Sequence, residues 1–305
     1  MSAAATSDAQ PARSGALDWA RESATWPHAA SSRFVAAGGL TWHVQIMGEG
    51  PVALLLHGTG ASTHSWRGLV PHLASQFTLV MPDLPGHGFT SAPPARGLTL
   101  PGMAMATAAL LQQLKLDPAI AIGHSAGAAV ALAMVHDGAL RPKGLIGLNA
   151  ALLPFGGLAG FFFKPMARLL TFNPLMANIL ASQATSRRRV ADTLAGTGST
   201  LDDAGIDLYQ RLFTSPRHVQ SAVQMMAGWD LGPLVRALPD IKTPVALVVA
   251  GGDRAVPPDQ GRQVADKLAS ARVVYLRNLG HLAHEEAPAD VAQTLLDITA
   301  PWLAA

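Results

Sequence analysis

Gly123-His124-Ser125-Ala126-Gly127 follows the apolar run Ala119–Ile122 and leads into an alanine-rich, helix-like stretch. A strand that turns at once into a helix lifts the hydroxyl of the turn serine clear of the backbone, which is how an attacking serine is presented. Such a turn is strained, and glycines two before and two after Ser125 remove side chains that would collide across it. Ala126, Ala128 and Ala129 let the helix lie close on the sheet. Ordinary helix capping is the competing explanation for a serine at this position.

Outward from this turn the chain alternates between strand and helix patterns. Arg33–Met47 reads as a hairpin with Gly38-Gly39 at its tip and Leu40, Trp42, Val44 and Ile46 on one face. Continuous apolar runs follow at Val52–Leu56, Phe77–Met81, Ala119–Ile122, Gly144–Leu148, Val245–Ala250 and Val273–Leu276. Strands that are apolar on both faces belong to a parallel sheet covered by helices. Met103–Leu114, Ser125–Val135, Asp259–Leu268 and Pro288–Ile298 have helical length and period. The expected fold is therefore α/β, a mostly parallel central sheet flanked by helices, with an antiparallel start.

One interval breaks the alternation. Between 150 and 228 no buried strand pattern occurs, and Pro154, Pro165, Pro174 and Pro216 interrupt short helical patches. The domain reading is a core formed by 31–149 and 229–305, a helical cap inserted at 150–228, and a disordered lead-in over 1–30. Ala151–Phe163 carries no charge and contains Phe155, Phe161, Phe162 and Phe163. Those aromatics suit packing of the cap on the core, a greasy wall over a pocket, or peripheral contact with a membrane surface. The run is too short to cross a bilayer. Arg187-Arg188-Arg189 reads first as a solvated helix face.

Composition narrows the function classes. Hydrophobic residues make up 49% of the 305 and charged residues 14%, with a formal charge of +2. No basic run with interleaved aromatics marks a nucleic-acid groove. The absence of cysteine removes disulfides, thiolate metal sites and a cysteine nucleophile. With no secretory pattern at the start, a cytoplasmic location is expected. Gly58-x-Gly60 follows a strand, but Thr63 stands where a dinucleotide-binding loop needs glycine. No cofactor or metal is expected.

A serine hydroxyl needs an imidazole to take its proton and a third group to hold that imidazole. His281 follows the last strand pattern, and Asp253 follows Val245–Ala250, so both fall at the C-terminal edge of the sheet, where ligands gather. Asp230 is the alternative acid. The chain order Ser125, Asp253, His281 fits one of the three common serine-triad orders. His57-Gly58-Thr59-Gly60 after Val52–Leu56 can supply the Thr59 N–H to an oxyanion, with the Ala126 N–H at the helix start as its partner. His124, Phe155 and Trp229 are the candidate pocket residues. Asp83 and His87 suit loop fixing, although His87 can also line the site. His284 and Glu285 imitate a metal cluster without a complete ligand set.

These motifs together resemble the α/β-hydrolase superfamily from about Arg33 onward, with the insertion in the place of its cap. The stretches His57–Trp66, Pro82–Pro94, Leu148–Gly160, Met225–Leu231 and Gly280–Glu286 are similar to the magnesium-chelatase accessory proteins of bacteriochlorophyll synthesis. The resemblance implies a serine hydrolase acting on an apolar ester, with a porphyrin or its ester as a candidate substrate, in the company of magnesium chelatase. It leaves open a tetrapyrrole-binding or delivery protein in which hydrolysis plays no part. Arg168 or the 187–189 arginines would then meet propionates.

Overall fold

The computed structural model describes residues 15–154 and 174–304. Eight strands form one sheet in the order β1-β2-β4-β3-β5-β6-β7-β8. They are β1 Ser32–Ala37, β2 Leu40–Met47, β3 Val52–Leu56, β4 Thr78–Pro82, β5 Ile120–His124, β6 Gly144–Leu148, β7 Val245–Ala250 and β8 Ala271–Leu276. β1 and β2 pair antiparallel, as do β2 and β4, and all other neighbours are parallel. The hairpin tip is built as read, since Gly38 and Gly39 take φ of 56° and 76°, values that glycine alone adopts freely.

Among the described residues the helices of six residues or more are α1 Leu100–Leu114, α2 Ala126–His136, α3 Pro174–Gln183, α4 Arg187–Ala195, α5 Asp203–Phe213, α6 Pro216–Ala227, α7 Gly232–Ala237, α8 Asp259–Ala265 and α9 Pro288–Ala304. Side chains alternate across each strand, so Leu54 and Leu56 join α1 and α2 in one core while Ala53 and Leu55 join α9 in another. Both faces of the sheet are thereby apolar. α2 is buried along nearly its whole length, as an all-apolar helix must be.

Residues 15–31 depart from the expectation of a lead-in without structure. Trp19–Glu22 is helical, and Trp26 is buried with its Nε1–H donating to Thr63 Oγ1 at 3.2 Å. Two tryptophans in this stretch carry enough apolar area to hold it against the core. The insertion between β6 and β7 contributes α3 to α6, and Phe155, Phe161–Phe163, Lys164 and Arg168 lie outside the described residues.

The strand order places one crevice. From β3 the chain moves to β4 on one side and then to β5 on the other, so the loops leaving β3 and β5 flank the switch point of the sheet. Backbone N–H groups and the strand ends open there. Ser125 and His57–Gly60 leave those two strands.

Candidate active site

Ser125 has φ 51° and ψ −117°, a conformation that costs a residue with a side chain about 1–3 kcal/mol. The surroundings hold it there: its N–H donates to the Leu148 carbonyl at 2.9 Å, and its carbonyl accepts from Ala151 N–H at 3.2 Å. A Cβ on Gly123 would fall on the Ala128 backbone, and one on Gly127 would fall on the Leu56 carbonyl oxygen. Both glycines are therefore required by close backbone approach, as the tight turn predicts.

His281 Nδ1–H donates to Asp253 Oδ2 at 2.7 Å, with both side chains nearly buried. Asp253 Oδ1 is separately held by Ala255 and Val256 N–H, each at 2.8 Å. The carboxylate is thus fixed at one oxygen and left with the other for the imidazole. This arrangement sets the tautomer with the free lone pair on Nε2. The ring of His124, the residue before Ser125, lies 4.7 Å from that of His281. Among the described residues neither Ser125 Oγ nor His281 Nε2 has a hydrogen-bond partner, so the serine and the imidazole are not hydrogen-bonded to each other here. Asp230, the alternative acid, is exposed and accepts from Gly232 N–H.

The loop after β3 is pinned by three buried groups. His57 Nε2 accepts from Leu84 N–H at 2.9 Å and its Nδ1–H donates to the Gly58 carbonyl at 2.8 Å. His218 on α6 accepts from Gly88 N–H and donates through Nε2–H to the Gly60 carbonyl at 3.0 Å. Asp83 accepts from Thr63 N–H, Phe89 N–H and His43. Burial pushes the Asp83 carboxyl upward, but the charge and hydrogen bond of His43, with His57 and Phe89, bring it down to about 2. Burial lowers His57, His87 and His124, and takes His218 to about 4 and His284 to about 3, so these imidazoles are neutral at pH 7. A Cβ on Gly58 would lie 3.0 Å from Ser125 Cβ and 2.9 Å from His124 Nδ1. That contact brings Gly58, the residue before Thr59, against the serine. Thr59 also touches α6 through Met225 Sδ, at 3.6 Å from its Oγ1.

Other singled-out residues serve as fixings. His124 is buried and donates through Nε2–H to the His281 carbonyl at 2.9 Å, so it holds the base loop from below. His87 is buried with Nδ1–H on the Pro85 carbonyl. His284 donates to Ser65 Oγ, and Glu285 accepts from Ser65, Tyr209 and Arg67. Among the described residues no group of three or more His, Cys, Asp or Glu is placed to hold a metal ion. Trp229 is half-buried against the core, with its buried Nε1 lacking a partner among the described residues. Phe155 lies outside them. The 187–189 arginines separate: Arg187 pairs with Asp203 and Asp207 on the surface, whereas Arg189 lines a cavity.

Two fixings escape a reading by motif. Asn149, at φ 43° just past β6, accepts from Ala250 N–H and reaches over to the His281 loop. A polar residue immediately after a fully buried strand is its one signal in the sequence. In the insertion, the Thr197 carbonyl accepts from Arg254 N–H at 3.0 Å and Ser199 Oγ accepts from Leu282 N–H at 2.8 Å. One segment of the insertion thus touches the residues next to both Asp253 and His281.

This sheet, with a serine turn after β5 and an Asp–His pair on the loops after β7 and β8, defines a class. The chain belongs to the alpha/beta hydrolase family, which it matches over residues 53–294. Within that family it is 41% identical over 282 residues to the magnesium-chelatase 30 kDa subunit of Rhodobacter capsulatus, covering 92% of this chain and 97% of the relative. The similarity to the magnesium-chelatase proteins is thereby borne out. It is 29% identical to the pimeloyl-[acyl-carrier protein] methyl ester esterase of Aromatoleum aromaticum, over 81% of this chain and 98% of that one. The epoxide hydrolase CorEH superimposes with a TM-score of 0.77 at 25% identity, covering 88% of this chain and 98% of that structure. No helix among the described residues is long and apolar enough to cross a membrane.

Proposed function

We propose that this protein is a serine hydrolase that cleaves an ester of an apolar acid or alcohol through an acyl-enzyme. Ser125 Oγ attacks the ester carbonyl while its proton passes to His281 Nε2, and Asp253 stabilises the imidazolium that forms. The negative charge on the carbonyl oxygen is received by the Thr59 and Ala126 N–H groups, each worth about 3 kcal/mol of barrier lowering. Collapse of the tetrahedral species breaks the C–O bond, and His281 returns its proton to the departing alkoxide. Water then attacks the acyl-serine with the same base, releasing the acid and restoring Ser125.

The observation that carries this reading is the fixed His281–Asp253 pair, 2.7 Å apart, on the same sheet edge as a serine held at positive φ. A binding protein has no need to hold a serine in a strained turn. Epoxide opening is disfavoured by Ser125 itself, since its alkoxide would form an ether that water cannot cleave, whereas a carboxylate nucleophile forms a hydrolysable ester. The insertion carrying α3 to α6 serves as the cap over the apolar substrate. The test is labelling of the purified protein with a fluorophosphonate probe. Wild type labels and Ser125→Ala does not; an unlabelled wild type refutes hydrolysis.

The similarity to the magnesium-chelatase 30 kDa subunit supports a physiological setting beside magnesium chelatase, with a porphyrin or its ester as the apolar partner. It equally favours a second reading, tetrapyrrole binding or delivery without hydrolysis. Titration with protoporphyrin IX and its magnesium form, followed at the Soret band, separates the two. Saturable binding with no fluorophosphonate labelling selects delivery, and no saturable binding removes the tetrapyrrole from both.

A further inference from the structure

The insertion and the loop after β3 line an open pocket of about 280 Å³, near the lower end of the volumes that small-molecule pockets occupy. Its walls are largely apolar, with Val190 on α4, Phe213 on α5 and Ala222 and Met226 on α6, and carry the neutral polar residues Gln183 and Thr193. Gly60, of the loop after β3, and His218 of α6 also line it. The cavity therefore extends from the surface of the insertion to the residue next to Thr59.

Charge in this cavity is one-sided. Arg187 is already engaged by Asp203 and Asp207, and Arg188 faces Asp192. Arg189, exposed at the wall, has no acidic partner among the described residues, and residues 155–173 contain no Asp or Glu. His218 brings no second charge, because both of its ring nitrogens are committed to Gly88 and Gly60. Among the described residues no acidic side chain lines the cavity. A largely apolar pocket whose one guanidinium has no acidic partner among the described residues complements an amphiphile whose polar end is anionic, since a planar carboxylate takes two parallel N–H bonds from arginine.

We propose that this cavity is a ligand subsite for an apolar chain or small ring system ending in a carboxylate, with Arg189 receiving the carboxylate and the apolar body directed inward to Gly60. Only the link to catalysis, an inner end delivered beside Thr59, rests on the hydrolase reading above. Binding itself does not.

The test is calorimetric titration of the full chain with octanoate and with its uncharged counterpart octanol, both below their aggregation limits, at pH 7.5. Octanoate is expected to bind saturably with one site per chain, and Arg189→Gln to weaken it about tenfold while leaving octanol unchanged. Arg188→Gln, on the neighbouring solvent-facing position, leaves octanoate binding as in wild type. Ala222→Phe fills the chamber and removes both ligands, which keeps the proposal testable should Arg189→Gln fold poorly. Ser125→Ala retains octanoate binding, so failure of the hydrolase reading and failure of the subsite are distinguishable. Absence of saturable octanoate binding to wild type overturns the proposal, as does equal affinity in wild type and Arg189→Gln or an equal loss of octanol in that variant.

Discussion

Asn149 Nδ2 donates to the carbonyl oxygen of His281 at 2.8 Å and to that of Gly280 at 3.1 Å, while Asn149 Oδ1 accepts from Ala250 N–H at 2.7 Å. A single amide at the end of β6 thereby ties the end of the acid-bearing strand to the loop of the base. The carbonyl of His281 also receives the Nε2–H of His124, whose neighbour is Ser125. The backbone of the imidazole residue is thus located from the strand of the serine and from the strand between serine and acid.

Asn149→Leu removes those bonds and leaves the buried Gly280 carbonyl and the Ala250 N–H without partners, at about 1–3 kcal/mol for each group left unpaired, while the His281 carbonyl keeps only its bond from His124. We expect a loss of roughly 2–4 kcal/mol of stability by urea unfolding. The fluorophosphonate labelling rate of Ser125 should fall about 10–100-fold. Labelling at the wild-type rate would show that Asn149 does not position His281.

Asp253→Asn keeps an acceptor for the Ala255 and Val256 N–H groups but presents an NH2 to His281 Nδ1, which selects the wrong tautomer. The melting temperature should change little. The labelling rate is expected to fall on the order of 10³–10⁴-fold, the scale seen when a triad carboxylate is replaced by its amide. A rate within tenfold of wild type would remove Asp253 from the proposed triad.

Acid should destabilise the fold in two overlapping windows. His218 and His284 are held neutral by burial, at about 4 and about 3 against an ordinary 6.5. Their contribution is complete above pH 6.5 and is lost as pH falls from there through the folded values. His218 alone accounts for about 3 kcal/mol across its window, at roughly 1.4 kcal/mol per pH unit. Asp83, lowered to about 2 from 3.8, stabilises above pH 3.8 and ceases to do so as pH falls toward 2. Urea midpoints measured at half-unit steps should fall from pH 6.5 downward, and His218→Gln should reduce the slope between pH 6.5 and 4.5 by about one proton. An unchanged slope contradicts a neutral buried His218.

Glu285 is buried and meets Arg67 at 2.5 Å, and it also accepts from Tyr209 of α5 and from Ser65. Arg67 reaches Asp202 of the insertion as well. Removing one partner strands the other charge, so Arg67→Met is expected to cost about 3–5 kcal/mol in unfolding free energy. The double variant Arg67→Met/Glu285→Leu should be less destabilised than the sum of the single changes. Additive losses in that cycle would mean that the pair is not coupled.

The strands, the helices of the core and the serine turn were legible because their signals are local. Unbroken apolar runs such as Val52–Leu56 record burial on both faces, and glycines at 123 and 127 record a turn too tight for side chains. Chain order also placed Ser125, Asp253 and His281 at one sheet edge, since each follows a parallel strand. The sequence favours Asp253 over Asp230 for its place just after a strand, and the fold puts Asp253 against the imidazole and leaves Asp230 exposed. The 187–189 arginines looked equivalent, and only helix rotation separated the paired Arg187 from Arg189 at the cavity. Asn149, Thr197 and Ser199 gave almost no signal, because their partners are loop backbone groups distant along the chain. The sequence by itself determined the periodicities, and hence the sheet and the nucleophile turn, through hydrophobic burial and backbone sterics acting over a few residues. Tertiary structure alone decided that Asp253 meets the imidazole, that Asn149 ties down its loop and that Arg189 lines the pocket, because hydrogen bonds and ion pairs depend on directions and distances that exist only after the chain has closed.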